Sequence, residues 1–212
     1  MSSFIELPAS KVSISARNPV RGIGINDAHY LVCPEINGKR VMCPFYRVWK
    51  NMLQRCYSEK YHQRCPTYIG CTVIKEWLLF SAFKGWMINQ NWKRKELDKD
   101  IKSIGNKIYS PENCLFVSRS INMLMNDNAT RRGEYPIGVS FHNTNNKFQA
   151  HCSHNGKSAN LGYYNTPEEA SVAYLTYKHS IILEVASMHE NNYIKKYIIN
   201  NANKLLEGVS YE

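Results

Sequence analysis

Clustered basic side chains are the first residues of this sequence whose type points to a chemistry. Lys93-Arg94-Lys95 follows Trp92 directly, and Arg131-Arg132 stands in a polar, aperiodic stretch before Gly133. Lysine and arginine bind phosphate oxygens through charge-assisted hydrogen bonds. We therefore expect the first run to contact a nucleic-acid backbone, with a solvated loop as the alternative. The second run is expected to follow the backbone or to enter a minor groove.

The charge of the whole chain points to the same class of partner. Its 212 residues include 27 Lys and Arg against 17 Asp and Glu, a net charge of +10. The entire excess lies in residues 1–134, which hold 21 basic and 11 acidic residues, whereas residues 135–212 hold six of each. A basic excess attracts polyanions, of which nucleic acid is the first candidate. Double-stranded DNA is thus the expected partner, and an acidic host protein is the alternative.

Other classes of protein are disfavoured by composition and cysteine spacing. No apolar run approaches the ~20 residues of a membrane span, and the N-terminus lacks the apolar core of a signal peptide. Seven cysteines without a C-x-x-C pair argue against a disulfide framework and favour a reducing, cytoplasmic setting. No structural zinc site is expected, because no known ligand spacing fits the candidate set of Cys33, Cys43, Cys56, His62, Cys65 and Cys71.

Residues 1–26 show no sustained periodicity and are interpreted as a lead-in to a first module over residues 27–128. The Asn37-Gly38 pair predicts a hairpin turn. Its strands are expected at Tyr30–Cys33 and Arg40–Cys43.

The remainder of the first module is predicted to contain helices and two short strands. Apolar residues recur at helical spacing from Phe45 to Cys56, and a second helix is expected over Ile74–Met87. Leu97–Ile101 and Cys114–Val117 are interpreted as strands, and Ser118 is expected to cap a helix that follows the second of them.

A linker at 129–134 is predicted to lead into a β-β-β-α unit over 135–186, followed by a helical extension over 187–212. Thr166, Pro167 and Glu169 have the types and spacing of a helix start with a capping box. The expected fold class is therefore α+β. The three strands are expected at 137–141, 147–153 and 157–164.

Several segments of this C-terminal unit resemble the AP2 DNA-binding domain. The resemblance implies a three-stranded antiparallel sheet that lies in the DNA major groove with the helix packed behind it. Alternation along the strands would turn Val139, Phe141, Phe148, Ala150 and Cys152 toward the helix. The matching segments are Gly138-Val139, Lys147-Phe148-Gln149-Ala150, Leu161-Gly162-Tyr163-Tyr164, Thr166-Pro167-Glu168-Glu169-Ala170 and Ala173-Tyr174. The DNA-facing residues implied are Ser140, His142, Lys147, Gln149, His151, Ser153, Ser158 and Asn160, with Lys157 beside them.

This sheet departs from the plant AP2 pattern because it carries no arginine and no tryptophan. Arginine is the commonest reader of guanine, so Gln149 or Asn160 would instead pair with adenine. Since the unit has no net charge, weak binding by the unit alone is expected. A solvated sheet face without a partner is the alternative.

The preceding module resembles the HNH, or ββα-metal, endonucleases common in phage genomes, and the whole layout is similar to phage HNH/AP2 proteins. The resemblance implies phosphodiester hydrolysis assisted by Mg²⁺ or Mn²⁺. It makes Asp98 the metal carboxylate, Asn122 the ligand on the helix, Asn126 a second candidate one turn later, and Asn113 the residue that pins the loop. The segments that carry it are Leu97–Ile101, Gly105-Asn106, Tyr109–Cys114 and Asn122, with a similar upstream flank around Trp49–Cys56 and Glu76–Phe83.

Lys99 occupies the position where the HNH pattern has its general-base histidine. A lysine with a pKa near ~10.4 is protonated at neutral pH, and Asp98 and Asp100 beside it favour the ammonium. Lys99 would then bind phosphate, or another group would supply the base. The leading hypothesis is a metal-dependent DNA endonuclease of the homing type. The alternatives are a catalytically inactive DNA-binding regulator or host-interfering phage protein, and a module that binds an acidic host protein.

Overall fold

The computed structural model describes residues 4–125, 133–154 and 156–207. Contacts between Cα atoms divide the chain into two compact units, residues 1–117 and 118–212. Both combine helices with small sheets, so the fold class is α+β. No helix within the described ranges is long and apolar enough to cross a bilayer.

The described residues of unit 1 form four α-helices, two short 3₁₀ helices and three two-stranded sheets. β1 pairs with β2 and β4 with β6 in antiparallel fashion, and β3 pairs with β5 in parallel. The helices are α1 (Lys11–Ser15), α2 (Pro44–Tyr57), α3 (Glu59–Arg64) and α4 (Phe80–Ile88). The strands are β1 (Glu35–Ile36), β2 (Lys39–Arg40), β3 (Thr72–Val73), β4 (Glu96–Asp98), β5 (Ile108–Tyr109) and β6 (Leu115–Val117).

The core of unit 1 lies between α2 and α4 and confirms the apolar stripe predicted for Phe45 to Cys56. Trp49, Leu53 and Phe80 are fully buried, and Cys56 is buried beside them. The indole N–H of Trp49 donates to the carbonyl oxygen of Trp77 at 2.7 Å, which satisfies the one polar atom of this buried ring.

The expected lead-in belongs to unit 1 from residue 4 onward. Gly24 is buried against Trp49 and Leu53, where a larger side chain has no space. The guanidinium of Arg17 donates to three main-chain carbonyl oxygens, those of Asn26, Ala28 and Tyr30. This segment is therefore held by main-chain and core contacts that its aperiodic sequence does not reveal.

The predicted single helix over Ile74–Met87 is wrong. A 3₁₀ turn at Lys75–Leu78 is followed by an extended Leu79, and only then does α4 begin. The break occurs because Ile25 pairs with this point: its N–H donates to Leu78 O at 2.8 Å, and its carbonyl accepts from Phe80 N at 3.0 Å. A long-range main-chain pairing thus interrupts a locally helical pattern.

The hairpin turn at Asn37-Gly38 is confirmed, with φ values of 51° and 71°. Its regular strands are shorter and closer to the turn than predicted, since β1 and β2 hold two residues each. Farther from the turn, Val41 and Cys43 donate to Pro34 and Val32 as irregular cross-strand hydrogen bonds.

The described residues of unit 2 form three helices and one three-stranded antiparallel sheet. The helix predicted after Ser118 is present, with the Ser118 hydroxyl accepting from Ile121 N, but it falls in unit 2 rather than in the first module. Its Leu124 packs against the cluster around Cys152 and Tyr174. The elements are α5 (Arg119–Met125), β7 (Val139–His142), β8 (Lys147–His154), β9 (Lys157–Tyr164), α6 (Pro167–Ser187) and α7 (Asn192–Leu206).

The predicted capping box at the start of α6 is confirmed: the Thr166 side chain accepts from Glu169 N, and the Glu169 carboxylate accepts from Thr166 N. One face of the sheet packs on α6 through Val139, Ala150 and Cys152. Phe141, expected on the same face, lies at the end of β7 and remains partly exposed, with its ring against Phe148.

The sheet contains a bulge that sequence alternation does not predict. Ala150 pairs with Gly162 and His151 pairs with Asn160, so Leu161 is an extra residue in β9. Gly162 adopts a φ of 120°, a conformation that side-chain-bearing residues rarely adopt. Beyond the bulge, the alternation of β9 is reversed relative to a regular strand.

Candidate nucleic-acid interface

The carboxylate of Asp98 lies at the end of β4 and holds the bend that follows. Its Oδ1 accepts the main-chain N–H of Asp100 at 2.8 Å and that of Ile101 at 2.7 Å. Burial raises the pKa of Asp98, against the opposing effect of these two hydrogen bonds. These contacts are those of an Asx turn, a structural use of the carboxylate.

Lys99 is buried, with 5% of its surface exposed. Its Nζ donates to both carboxylate oxygens of Asp100, at 2.7 and 2.8 Å, and to the carbonyl oxygen of Asn106 at 2.6 Å. The rings of Tyr68 and Tyr109 lie 5.9 and 6.0 Å from the same nitrogen. An ammonium has three hydrogens, and these three acceptors use all of them. In this geometry Lys99 has no hydrogen left for a phosphate.

The loop between β4 and β5 is closed by two asparagines. Asn106 Nδ2 donates to Lys99 O at 3.0 Å and to Ile108 O at 2.8 Å. Asn113 Nδ2 donates to Asn106 Oδ1 at 3.2 Å and to Ile108 O at 3.3 Å. Asn113 therefore contacts the loop in the way its expected pinning role requires, and both amides are occupied by the protein itself.

Several carboxylate oxygens near this loop are occupied by the chain itself. Oδ1 of Asp98 already accepts two N–H groups, and both oxygens of Asp100 lie on the Lys99 ammonium. Asn122 lies on α5 in unit 2, and Asn126 lies outside the described residues. Within the described ranges, no group of three or more His, Cys, Asp or Glu side chains has a geometry that holds a metal ion. The buried cation of this loop is the ammonium of Lys99.

The predicted basic run lies in a tight turn just before β4. Lys95 N donates to Trp92 O at 3.0 Å, and Arg94 has a φ of 59°. Trp92 packs against Phe45 at a centroid distance of 4.9 Å, which fixes the turn to α2. Lys93 and Arg94 are exposed and Lys95 is half-buried, and none of the three forms an ion pair with the described part of the chain. Arg131 and Arg132 lie outside the described residues.

The cations of unit 1 fall into two groups. The first group donates to main-chain carbonyl oxygens and is structural; it consists of Arg17, Arg55, Lys99, Lys102 and Lys107. The second group is exposed and available to a polyanion; it includes Lys11, Lys39, Arg40, Arg47, Lys60, Arg64, Lys75, Lys93 and Arg94.

The sheet in unit 2 has one face packed on α6. We call its opposite face the outer face, and this face carries hydrogen-bonding side chains from all three strands. One row across the three strands is Ser140, Gln149 and Tyr163. A second row begins with His142 opposite Lys147, and a third pairs His151 with Asn160. Ser153 and Ser158 form a further pair on this face. Lys157 pairs with His154 at the turn end of the hairpin. By strand alternation, this pair shares the face of Cys152 and is not on the outer face.

Acidic residues are absent from the sequence of this sheet. Between Glu134 and Glu168 the chain contains no Asp or Glu, whereas Lys147, Lys157 and three histidines lie in that stretch. The next acidic residues along the chain, Glu168 and Glu169, lie in the first turn of α6. The outer face is thus free of the charges that would repel a phosphate backbone.

Two outer-face side chains are partly committed to the protein. His142 Nδ1 accepts from Asn145 N at 3.3 Å, so the neutral ring carries its proton on Nε2 and presents a donor. Asn160 Oδ1 accepts from Gly162 N at 3.1 Å as part of the bulge. One lone pair of this oxygen is thus used within the chain, which restricts how the Asn160 amide can meet a base edge.

Tyr163 is the outer-face residue that sequence reasoning missed. It pairs with Gln149, is 38% exposed, and has its ring 5.1 Å from that of His142. Uninterrupted alternation from Ser158 and Asn160 assigns Tyr163 to the opposite face, and the extra Leu161 reverses that assignment. The signal available in the sequence was Gly162, since a glycine within a strand often marks a bulge.

Comparisons with protein-family models, with curated proteins and with solved structures found no match to this chain.

Proposed function

We propose that this protein binds double-stranded DNA, with the outer face in the major groove and the exposed cations of unit 1 on phosphates, and that it does so without cutting the strands. The observation that carries the proposal is the outer face itself: three strands of hydrogen-bonding side chains without a carboxylate in 135–167. The resemblance of this unit to AP2 domains supports the same mode of binding.

The major groove suits such a surface. It is about 12 Å wide, and it admits an α-helix or a narrow β-ribbon whose side chains reach the base edges. On the outer face, Gln149 has both a donor and an acceptor, His142 has a donor, and Ser140 has a hydroxyl that does either. This set suits base edges better than it suits a hydrophobic protein partner.

Affinity would come chiefly from unit 1. Residues 1–117 hold 18 Lys and Arg and 9 Asp and Glu, a net charge of +9. Phosphate contacts supply most of the sequence-independent binding energy of DNA-binding proteins. The turn of Lys93-Arg94-Lys95 is a fixed, exposed part of this surface.

The absence of cutting is proposed from the loop after β4. The Lys99 ammonium is saturated by Asp100 and Asn106, so it is not free to act as a base, and Oδ1 of Asp98 accepts main-chain N–H groups of the bend. The inactive scaffold is therefore favoured over the endonuclease hypothesis by the contacts of these residues.

Two measurements on the full chain test both parts. Fluorescence anisotropy with a labelled duplex of about 20 base pairs should show binding at low salt. Supercoiled plasmid incubated with the protein and Mg²⁺ or Mn²⁺ should remain intact. Nicking that disappears in Asp98→Ala would restore the endonuclease, and failure to bind duplex at low salt would leave the acidic protein as partner.

A matched pair of charge reversals locates the binding surface. Lys147→Glu changes the outer face, and Lys196→Glu makes the same change at an exposed position of α7. We expect the first to weaken binding by about tenfold or more and the second by less than about twofold, since only a nearby like charge repels the phosphates. Equal losses would contradict the proposed role of the sheet.

A further inference from the structure

The middle of the outer face carries one side chain equipped to read a base by two hydrogen bonds. Gln149 lies on the central strand, with Ser140 opposite it on β7 and Tyr163 opposite it on β9. Its side-chain amide forms no hydrogen bond with any described residue, although those of Asn106, Asn113 and Asn160 do. Gln149 is therefore available, and its neighbours restrict the direction in which it extends.

The chemistry of Gln149 and the absence of arginine from the strands favour recognition of adenine over guanine. A glutamine amide pairs with adenine, donating to N7 and accepting from the N6 amino group. Guanine is read in the same groove mainly by arginine, and the strands 139–164 contain none. Lys147 is the first residue of β8, at the hairpin end of the strand, and the proposal assigns it to phosphates rather than to base edges.

The bulge at Leu161 distinguishes Gln149 from its nearest rival. Asn160 has the same chemical group, but its Oδ1 accepts the N–H of Gly162. Pairing with adenine through two hydrogen bonds needs the acceptor and the donor of one amide together. The whole amide of Gln149 is free, whereas Oδ1 of Asn160 already accepts one hydrogen bond and is held toward the bulge.

Tyr163 adds an apolar surface beside the amide. Its ring stands edge-on to His142 at a centroid distance of 5.1 Å, which holds it on the outer face. In the major groove, thymine is distinguished by its C5-methyl group, which apolar side chains contact. An adenine reader with an aromatic ring beside it thus matches a site where adenine and thymine lie in neighbouring base pairs.

We infer that the outer face selects duplex sites rich in adenine and thymine, through major-groove contacts of Gln149 to adenine and of Tyr163 to a thymine methyl. The inference rests on the proposed function, because it requires the outer face to enter the groove. It assigns the two residues as determinants of specificity rather than of overall affinity.

Base analogues separate major-groove reading from the other ways in which a protein can prefer such DNA. Inosine·cytosine pairs resemble A·T pairs in the minor groove but keep the major-groove edge of guanine. 7-Deazaadenine lacks the N7 acceptor, and deoxyuridine lacks the thymine methyl. The experiment measures the affinity of the full chain for five duplexes of one length at one salt concentration. They are A·T-rich, G·C-rich, inosine·cytosine, and A·T-rich with either 7-deazaadenine or deoxyuridine substituted.

The expected order follows from the two contacts. The A·T-rich duplex should bind at least about fivefold more tightly than the G·C-rich one, since a bidentate pair discriminates by at least this factor. The inosine·cytosine duplex should behave like G·C, and 7-deazaadenine should remove most of the preference. Deoxyuridine should weaken binding to the wild type and leave Tyr163→Ala unaffected.

Variants test the residues themselves. Gln149→Ala should lose most of the preference for the A·T-rich duplex, with its affinity for G·C-rich DNA unchanged, whereas Asn160→Ala should keep the preference. Unfolding midpoints show whether each variant is folded. Equal wild-type affinity for all five duplexes would overturn the inference while leaving DNA binding intact, as would tight binding to inosine·cytosine. Failure to bind any duplex would instead overturn the proposed function.

Discussion

The ammonium of Lys99 lies 2.7 and 2.8 Å from the two carboxylate oxygens of Asp100, the residue that follows it. Lys99 is buried, whereas the Asp100 side chain is about half-exposed. The same ammonium donates to Asn106 O across the loop. A cation supplied by the chain therefore connects the end of β4 to the start of β5, where the HNH resemblance predicts a catalytic base beside a metal ion.

Replacing Lys99 with methionine should destabilise the loop between β4 and β5. The variant keeps the volume of the stem but leaves Asn106 O and the Asp100 carboxylate without their donor, and we expect a loss of about 2 kcal/mol in the free energy of unfolding. Urea denaturation measures it. Lys93→Met, at an exposed position, is the control and should change stability by less than about 0.5 kcal/mol. Equal stability of Lys99→Met and the wild type would contradict this role of the ammonium. A wild-type unfolding midpoint that falls on addition of EDTA would show that a bound metal ion stabilises the protein.

Asp98→Asn should be more stable relative to the wild type at neutral pH than in acid. Burial raises the pKa of Asp98 in the folded state, so the folded protein favours the protonated carboxyl. Wild-type stability from this group is therefore lost as pH rises from the unfolded-state pKa, about 4, through the higher folded-state pKa. Asparagine keeps an Oδ1 acceptor for Asp100 N and Ile101 N and has no charge to bury.

Denaturation at pH 4 and at pH 7 tests this prediction. The difference in unfolding free energy, Asp98→Asn minus wild type, should increase between the two values. Asp98→Ala, which loses both hydrogen bonds, should be less stable than Asp98→Asn at each pH. A difference that decreases with pH would show that the ionised carboxylate stabilises the fold.

Gly24→Ala should destabilise unit 1. An added Cβ would overlap Leu53 Cδ1 and stand 2.9 Å from Trp49 Cζ2, and both side chains are fully buried. Overpacking of this kind costs about 1–3 kcal/mol. Gly85→Ala on α4 is the matched control, since nothing lies within 4 Å of its added Cβ. It should stabilise the protein by about 1 kcal/mol through helix propensity. Equal effects of the two changes on the thermal midpoint would contradict the described packing of Gly24.

Gly138→Ala should destabilise unit 2 by more than backbone conformation explains. Gly138 and Gly156 have φ values of 77° and 75°, so alanine is strained by about 1 kcal/mol at either position. At Gly138 the added Cβ would also overlap the ring of Tyr174, whereas at Gly156 it meets nothing within 4 Å. We expect the first variant to unfold at lower denaturant concentration than the second. The reverse order would place the Tyr174 ring elsewhere.

Local patterns predicted those elements whose causes are local. Thr166 and Glu169 stand three residues apart and cap each other, so the start of α6 follows from four consecutive residues. The turn at Asn37-Gly38 is also local, because these two residue types readily adopt the positive φ values that the turn requires. The break at Leu79 did not, because its cause is Ile25, more than fifty residues earlier in the chain.

The candidate site shows the same limit. The residue types of the outer face were readable from the alternation of β8, but the reversal after Leu161 was not, and Tyr163 was missed for that reason. The sequence predicted that Lys99 would not act as a general base. Its saturation by Asp100 and Asn106 depends on how the loop closes, which no spacing in the sequence encodes.

The salt dependence of duplex binding tests the central claim most directly. The affinity of the full chain for a duplex of about 20 base pairs should fall linearly on a log–log plot against salt, with a slope of about 0.9 per phosphate contacted. Replacing Lys93, Arg94 and Lys95 together with glutamine should lower that slope by about 2 to 3 while the protein stays folded. No detectable binding of the wild type at about 50 mM salt, or a slope that the triple variant leaves unchanged, would contradict the account.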